Sequence, residues 1–335
     1  MQGLYQEIES FFLSIKLFFE SMLNRRHIRV KVMQTIYAMG CKDQYNLQQE
    51  GKFTSDSLAQ LYNLYLLMLD LMVEVHAFAK AEQEKHANKI LATEADKNPN
   101  TKFINNALFQ KLSDNALLRD ELDKRKLTNW RTNDEYVTII YNEIVASDLY
   151  AAYMDEEEQT YKNDKKFIID CYTDIVAPND KLYDYIEDTR LTWLDDLPMV
   201  NMAVLRRLQK LKPSSPESSL LPVLYKNDED KTFSSELLER TVSNDDFLTN
   251  EITINTPNWD KERIADVDLV LIKMALCEFL KFPLIPVKVT INEYLEIAKE
   301  YSTPKSSIFI NGILDKLVKK YEANNSLKKE GRGLM

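Results

Sequence analysis

The stretch Met22–Met39 gathers Arg25, Arg26, Arg29 and Lys31 without a single aspartate or glutamate. If it is helical, Arg25 and Arg29 stand one turn apart with Arg26 beside them, so three guanidinium groups share one end of the helix. Cations at a helix N-terminus oppose the dipole and repel each other, at a cost of roughly 0.3 kcal/mol each. No carboxylate three or four residues away offsets this. An outside anion would complete the arrangement, and phosphate suits the planar guanidinium fork. The other reading is a solvated basic face neutralised by carboxylates elsewhere in the chain, and local sequence weighs the two evenly. Asn24 is a suitable N-cap, with Ile28, Val32, Ile36 and Met39 as the buried stripe.

No other group of residues suggests catalysis. His27, His76 and His86 are scattered, and the last two lie ten apart on one predicted helix, on different turns, which excludes an HExxH-type metal site. Cys41, Cys171 and Cys277 form no CxxC pair; they suit a reducing cytoplasm and are expected as small buried hydrophobes. Neither GxGxxG nor GxxxxGK[ST] occurs, so the usual phosphate-cradling loops are missing. Asp195–Asp196 and Asp245–Asp246 fit helix N-terminal turns, and the run 155–158 reads as a solvated helix end. The expectation is a binding protein with no cofactor and no metal.

The elements that must position the cations are helical. Six glycines and ten prolines in 335 residues are few, and strand-period alternation is hard to find. Apolar periodicity predicts helices over Asp56–Lys89, Phe103–Leu122, Asn133–Met154, Lys165–Val176, Asp260–Leu280, Val287–Tyr301 and Ser306–Tyr321. Lys97–Thr101 reads as a break, 212–230 as the clearest linker or long loop, and 323–335 as a frayed polar tail. The helix 260–280 is apolar nearly all round, interrupted from Val267 onward only by Asp268, Lys273 and Glu278, and belongs at the centre of a bundle.

Residues 1–21 carry only a nine-residue apolar run, Phe11–Phe19, too short to span a bilayer. Glu7 and Glu9 stand where a signal peptide would be basic. Met22 is expected to be the biological start. The charge is uneven: 43 basic against 53 acidic side chains overall, with the acidity concentrated in the long middle of the chain. Two segments 66 residues apart share a pattern, from Phe167 to Trp193 and from Phe233 to Trp259. Recurrent core spacing in a helical bundle accounts for it better than duplication does.

The C-terminal stretch "PVKVTINEYLEIAKEYSTPKSSIFINGILDKL", Pro286–Leu317, resembles the signature of the bacterial NusB antitermination family. The residues that carry the resemblance are Pro286, Lys288, Val289, Ile291, Asn292 and Glu293, then Glu296, Ala298 and Lys299, then Phe309 to Asp315. "NWDKERIADVDLVLIKMALCEFL" is similar to the family's preceding central helix, and "NRRHIRVKVMQTIYA" to its arginine-rich first helix. Together these cover about a third of the chain; 41–230 has no clear counterpart in compact members of the family.

The resemblance implies an all-α fold of two packed helical bundles of NusB type with a large helical insertion. Its expected divisions are 22–230, 231–322 and the tail 323–335. It also implies binding of the single-stranded boxA element of nascent ribosomal RNA, together with the small-subunit ribosomal protein acting as NusE. Assembly with NusA, NusG and the RNA polymerase complex would follow. Carried over by position, Arg25, Arg26, Arg29 and Gln34 would contact or adjoin RNA, with His27 where relatives often have a further arginine. Phe309 would stack on an unpaired base, with a core aromatic as its other reading. Lys316 would reach a phosphate. Gly312, costly inside a helix, would admit RNA or another backbone, although helix packing explains it slightly better. Tyr37, Asp268 and Lys305 fall near the protein partner, and Lys305 replaces a residue that is often acidic. The rival reading is a helical interaction module that has lost RNA binding. A weaker rival is the front domain of a ribosomal RNA methyltransferase, for which the glycine-rich loop and the cysteine motif are missing.

Overall fold

The structure, a computed structural model, describes residues 21–89, 98–255 and 264–334. The reading of Met22 as the start concerns residues outside these, as does Trp259 of the 66-residue comparison. Every regular element among the described residues is helical, in keeping with the scarcity of glycine and proline. Contacts gather into two compact units. Ala59–Leu224, with residues 21–22, form an insertion unit, and Leu23–Leu58 with Tyr225 onward form a terminal unit. The expected division into 22–230 and 231–322 is thereby redrawn, because the arginine-rich helix packs among the C-terminal helices.

Helix α1 is Arg25–Gly40 and α2 is the 41-residue Leu47–Ala87, within which the boundary between the units falls. Helix α2 begins nine residues before its predicted start. Asn46 Oδ1 accepts from the amides of Gln48 and Gln49 and so caps the new first turn. Its most apolar window is long enough to cross a membrane but is 72% buried inside the fold, as a core helix is.

The insertion unit continues with α3 (Ala107–Ser113), α4 (Ala116–Arg125), α5 (Asn129–Thr132), α6 (Asp134–Val145) and α7 (Asp148–Asp155). Then come α8 (Tyr161–Cys171), α9 (Asp180–Thr189) and α10 (Leu197–Lys210). Two predicted helices are each split where a side chain caps a new start. Asn115 accepts from Leu118 N at the head of α4, and Ser147 accepts from Tyr150 N at the head of α7. The rest of α2 is held by side chains that bond to backbone. Trp130 Nε1 donates to Leu67 O at 2.7 Å, Trp193 Nε1 donates to Gln60 O at 3.0 Å, and Tyr65 OH donates to Leu220 O at 2.7 Å. Of the two readings of this region, 212–224 is the long loop, and it is no loose linker. Lys111 Nζ donates to the carbonyls of Pro213 and Ser215, Asn115 Nδ2 donates to Glu217 O, and Leu220 is buried. The unit boundary falls only where this strap ends.

The terminal unit adds α11 (Asp228–Ser243), α12 (Asp245–Asn255), α13 (Asp266–Lys281), α14 (Val287–Tyr301) and α15 (Ser306–Ala323). Helix α13 is central, packing against α1, α11, α12, α14 and α15, as its all-round apolar surface requires. The C-terminal tail departs from expectation. Glu330 N donates to Pro283 O at 3.0 Å, Lys329 Nζ donates to Phe282 O at 3.0 Å, and Gly331–Leu334 form a short 3-10 turn. Cys171 and Cys277 are buried as expected, and burial pushes the Cys277 thiol up to about 11. Cys41 is exposed instead, standing just past the last turn of α1 as its C-cap residue.

His76 tests the insertion core. Its imidazole is buried and stacked on Phe109, with Nδ1 bonded to Ser113 Oγ and Nε2 to Ile104 O. Burial lowers its pKa below the ordinary histidine value. The folded state therefore disfavours the proton, and the histidine's contribution to stability, full above about pH 6.5, fades as pH falls through the lowered folded pKa. Urea unfolding followed by tryptophan fluorescence should show a midpoint that falls between pH 7 and 5. His76→Gln should flatten that dependence.

Candidate nucleic-acid interface

Helix α1 starts on a reciprocal cap. Asn24 Oδ1 accepts from Arg26 N at 2.9 Å and His27 N at 3.1 Å, while Asn24 N donates back to His27 Nδ1. Asn24 therefore acts as the expected N-cap, and the ring of His27 completes it. The predicted stripe holds at Ile28, Val32 and Met39, which are buried. Arg29, Val30, Lys31, Met33 and Thr35 are buried as well, so the helix is enclosed on more than one side. Its polar enclosure is explicit: Thr35 Oγ1 meets Thr54 Oγ1 at 2.9 Å on the opening turns of α2.

The arginines do not form one free cluster. Arg29 is 1% exposed, with Nε and Nη2 donating to the two oxygens of Glu278 at 2.9 and 2.7 Å. Glu278, itself fully buried, also accepts from Thr290 Oγ1 and Tyr294 OH. The Arg29 guanidinium lies over the rings of Phe233 and Tyr294, 5.2 and 5.7 Å from their centroids. Burial alone would draw its pKa down, but the adjacent Glu278 carboxylate outweighs this and raises it. The expected RNA contact at Arg29 is therefore corrected. Its side chain is sealed in the core, where a phosphate has no path to it. Glu278, with only Asp268 and Lys273 as charged company between Val267 and Leu280, was the available signal, since a buried charge needs a buried partner.

Arg25 and Arg26 stay at the surface, half-buried. Arg26 grips Glu293 of α14 through Nε and Nη2 at 2.9 and 3.0 Å, and this bond raises its pKa. Arg25 Nε donates to Asp230 at 2.7 Å and Nη2 to Glu229 at 3.5 Å, both on the first turn of α11, with Phe233 5.0 Å beneath. Carboxylates from the acidic middle thus meet Arg25, and carboxylates from the C-terminal third meet Arg26 and Arg29. Of these, Arg26–Glu293 and Arg25–Glu229 are open to water, and such pairs contribute roughly 0–1 kcal/mol.

The second set of expected residues lies on and around α15, which packs against α13 and α14, the helices that also neighbour α1. Phe309 is half-buried, offering part of its ring outward, and Lys305 is exposed. Lys316 is exposed and its Nζ donates to Asn255 O at 2.6 Å. Gly312 faces outward, and a Cβ built there meets no described atom within 4 Å. Packing among the described helices therefore does not explain this glycine. Asp268 is corrected too. It is buried, accepting from Ser302 and Ser306 at 2.6 and 2.7 Å, and so ties α13 to the head of α15 rather than facing a partner. Tyr37 is 41% exposed and, with Ile36, Cys41, Tyr45, Asp266 and Lys273, lines a cavity of about 270 Å³. Gln34 lies half-buried one turn before it.

Residues 215–319 match the NusB family. Over 105 residues the chain is 39% identical to the transcription antitermination protein NusB of Salinibacter ruber, and equally to that of Chloroherpeton thalassium. Over 99 residues it is 38% identical to the protein of that name from Thermodesulfovibrio yellowstonii. These matches cover 31%, 31% and 30% of this chain, and 66%, 50% and 66% of the respective relatives. The chain thus spans between half and about two thirds of the length of the relatives it matches. No solved structure matches it.

Replacing Arg29 by alanine leaves Glu278 buried and uncompensated, which should cost about 3–5 kcal/mol. Arg26→Ala should cost no more than about 1 kcal/mol, since its pair is open to water. Denaturant titration of the two variants should show this contrast.

Proposed function

We propose, on the premise that residues 215–319 form a NusB-family domain, that the protein is a transcription antitermination factor. It binds the single-stranded boxA element of nascent ribosomal RNA jointly with the ribosomal protein acting as NusE. It acts by binding rather than catalysis, in the bacterial cytoplasm, as part of an RNA polymerase complex with NusA and NusG. The relatives' printed name, transcription antitermination protein, supports the general role; the RNA and partner assignments are what the family resemblance implies.

The observation that carries the reading is Gly312. Glycine inside a helix costs about 1 kcal/mol relative to alanine, and no described atom comes near enough to require it. Its use is intelligible if something outside the chain approaches the α15 backbone. Phe309 one turn before it offers a stacking face, and Lys316 one turn after it offers a cation. Unpaired bases stack on aromatics, and phosphates take cations, in just such combinations. On α1, Arg25 and Arg26 hold Glu229 and Glu293, carboxylates that an RNA phosphate can replace, with the guanidinium fork already oriented. Lys305 and Tyr37 are the exposed residues assigned to the protein partner. A second reading, an interaction module without RNA affinity, draws on the fact that Arg25, Arg26 and Arg29 all have internal carboxylates.

Titration of labelled boxA-type RNA, with and without the ribosomal protein and across salt concentrations, separates the two. Arg25→Ala/Arg26→Ala should weaken binding and flatten the salt slope by about 0.7 for each phosphate no longer neutralised; unchanged affinity rejects the RNA site. Phe309→Ala should cost roughly 1–3 kcal/mol of binding if a base stacks there. Gly312→Ala should move two quantities in opposite directions, stabilising the fold by up to about 1 kcal/mol while weakening RNA binding.

A further inference from the structure

We propose that Glu229 occupies the seat of an RNA phosphate, and that Arg332 of the C-terminal tail joins Arg25 in holding that phosphate when Glu229 swings out. The inference rests on the RNA-binding reading above and extends the site to a tail that the family match, ending at residue 319, does not reach.

One carboxylate oxygen is bracketed by two guanidinium groups. Glu229 Oε2 accepts from Arg332 Nη2 at 3.0 Å and from Arg25 Nη2 at 3.5 Å. The Glu229 side chain is 54% exposed, so it can leave without opening the core. Arg25 would not follow it. Its Nε is fixed by Asp230 at 2.7 Å and its guanidinium lies over the Phe233 ring. Glu229 also belongs to the first turn of the 16-residue α11, where the helix dipole favours an anion, although Asn227 Oδ1 already caps the Asp230 amide. A phosphate would inherit that field. Asp228 and Asp230 share the turn and would repel it, but Asp230 is already committed to Arg25, and Lys226 and Lys231 flank the turn in sequence.

Arg332 reaches this place because the tail is docked. Glu330 N bonds to Pro283 O, and Gly333 N bonds back to Glu330 O at 2.8 Å. Gly331 has φ +51°, in the left-handed region that favours glycine. At Gly333 a Cβ would stand 1.9 Å from Pro283 O, a backbone atom. The Gly-Arg-Gly order therefore sets an arginine between two residues without side chains, presented at the edge of α11. As the arrangement exchanges one anion for another, the gain is modest, and Glu229 keeps the two arginines from adventitious anions until RNA arrives.

The test uses the full chain and the same labelled boxA-type RNA. Arg332→Ala should weaken binding about five-fold and flatten the salt slope by about 0.7, the share of one phosphate in a single strand. Gly333→Val should weaken binding similarly although Arg332 is intact, because it undocks the tail. Glu229→Gln should tighten binding several-fold in the wild-type background and give no gain in Arg25→Ala/Arg332→Ala, a non-additivity that marks coupled residues. Glu229 and Arg332 are surface residues, so Glu229→Gln and Arg332→Ala should melt like the wild type. If Arg332→Ala and Gly333→Val bind as the wild type does, or Glu229→Gln weakens binding, the inference is overturned while the RNA-binding reading stands. If the wild type binds no RNA, both fall.

Discussion

The buried pair of Arg29 and Glu278 is the constraint from which the terminal unit is arranged. Two charges removed from water are tolerated only when they face each other and their remaining hydrogen-bonding capacity is met. Glu278 satisfies this with the Arg29 fork, Thr290 and Tyr294, which draws α1, α13 and α14 to one point. Phe233 of α11 and Tyr294 of α14 lie against the guanidinium, and Lys329 of the tail donates to the backbone carbonyl of the same glutamate. A helix from the start of the chain is thereby locked among helices from its end. Replacing the pair by apolar residues could match its stability, so its physical merit lies in fixing which face of α1 turns inward.

That orientation grades the cations by depth. Arg29 is sealed in, Arg26 rests half-exposed on Glu293, and Arg25 lies at the edge of α11, held firmly through Nε and loosely through Nη2. A core arginine sets the register, and the two outside it gain pre-oriented guanidinium planes. Pre-organisation of this sort lowers the cost of binding, because the side chains are ordered before a ligand arrives. The internal carboxylates are then competitors that a polyanion must displace. This reconciles an acidic chain with a cationic end of one helix.

The insertion unit is built by a different means. Its long central helix is apolar enough to pack almost anywhere, and indole and phenol groups that bond to backbone carbonyls fix where its neighbours sit. Asp164 plays a similar part, accepting from Ala107 N and Tyr153 OH at the head of α3. Most such bonds run from single side chains to main chain far apart in sequence, and they leave no periodic trace. The strap at 212–224 is held in the same way, which is why its serines and prolines read as a linker.

Local chemistry was legible in the residues themselves. The all-helical class, the Asn24 cap, the bounds of Val287–Tyr301 and the central place of α13 follow from periodicity, capping preference and the scarcity of helix breakers, all short-range properties. The motif from Pro286 to Leu317 was legible as a family resemblance, and within it Gly312 and Lys316 of α15 are exposed while Phe309 is half-buried. Tertiary structure alone decided which charges are free. Arg25, Arg26 and Arg29 are alike in sequence, and nothing within four residues distinguishes them. Their fates depend on Asp230, Glu293 and Glu278, which lie more than two hundred residues away. The same holds for Asp268, a plausible surface acid until Ser302 and Ser306 enclose it, and for the tail, whose polar residues conceal a docking contact made by a missing side chain at Gly333. Electrostatic partnership acts through space, so pattern along the chain names the charged groups while folding alone decides which of them remain open to a ligand.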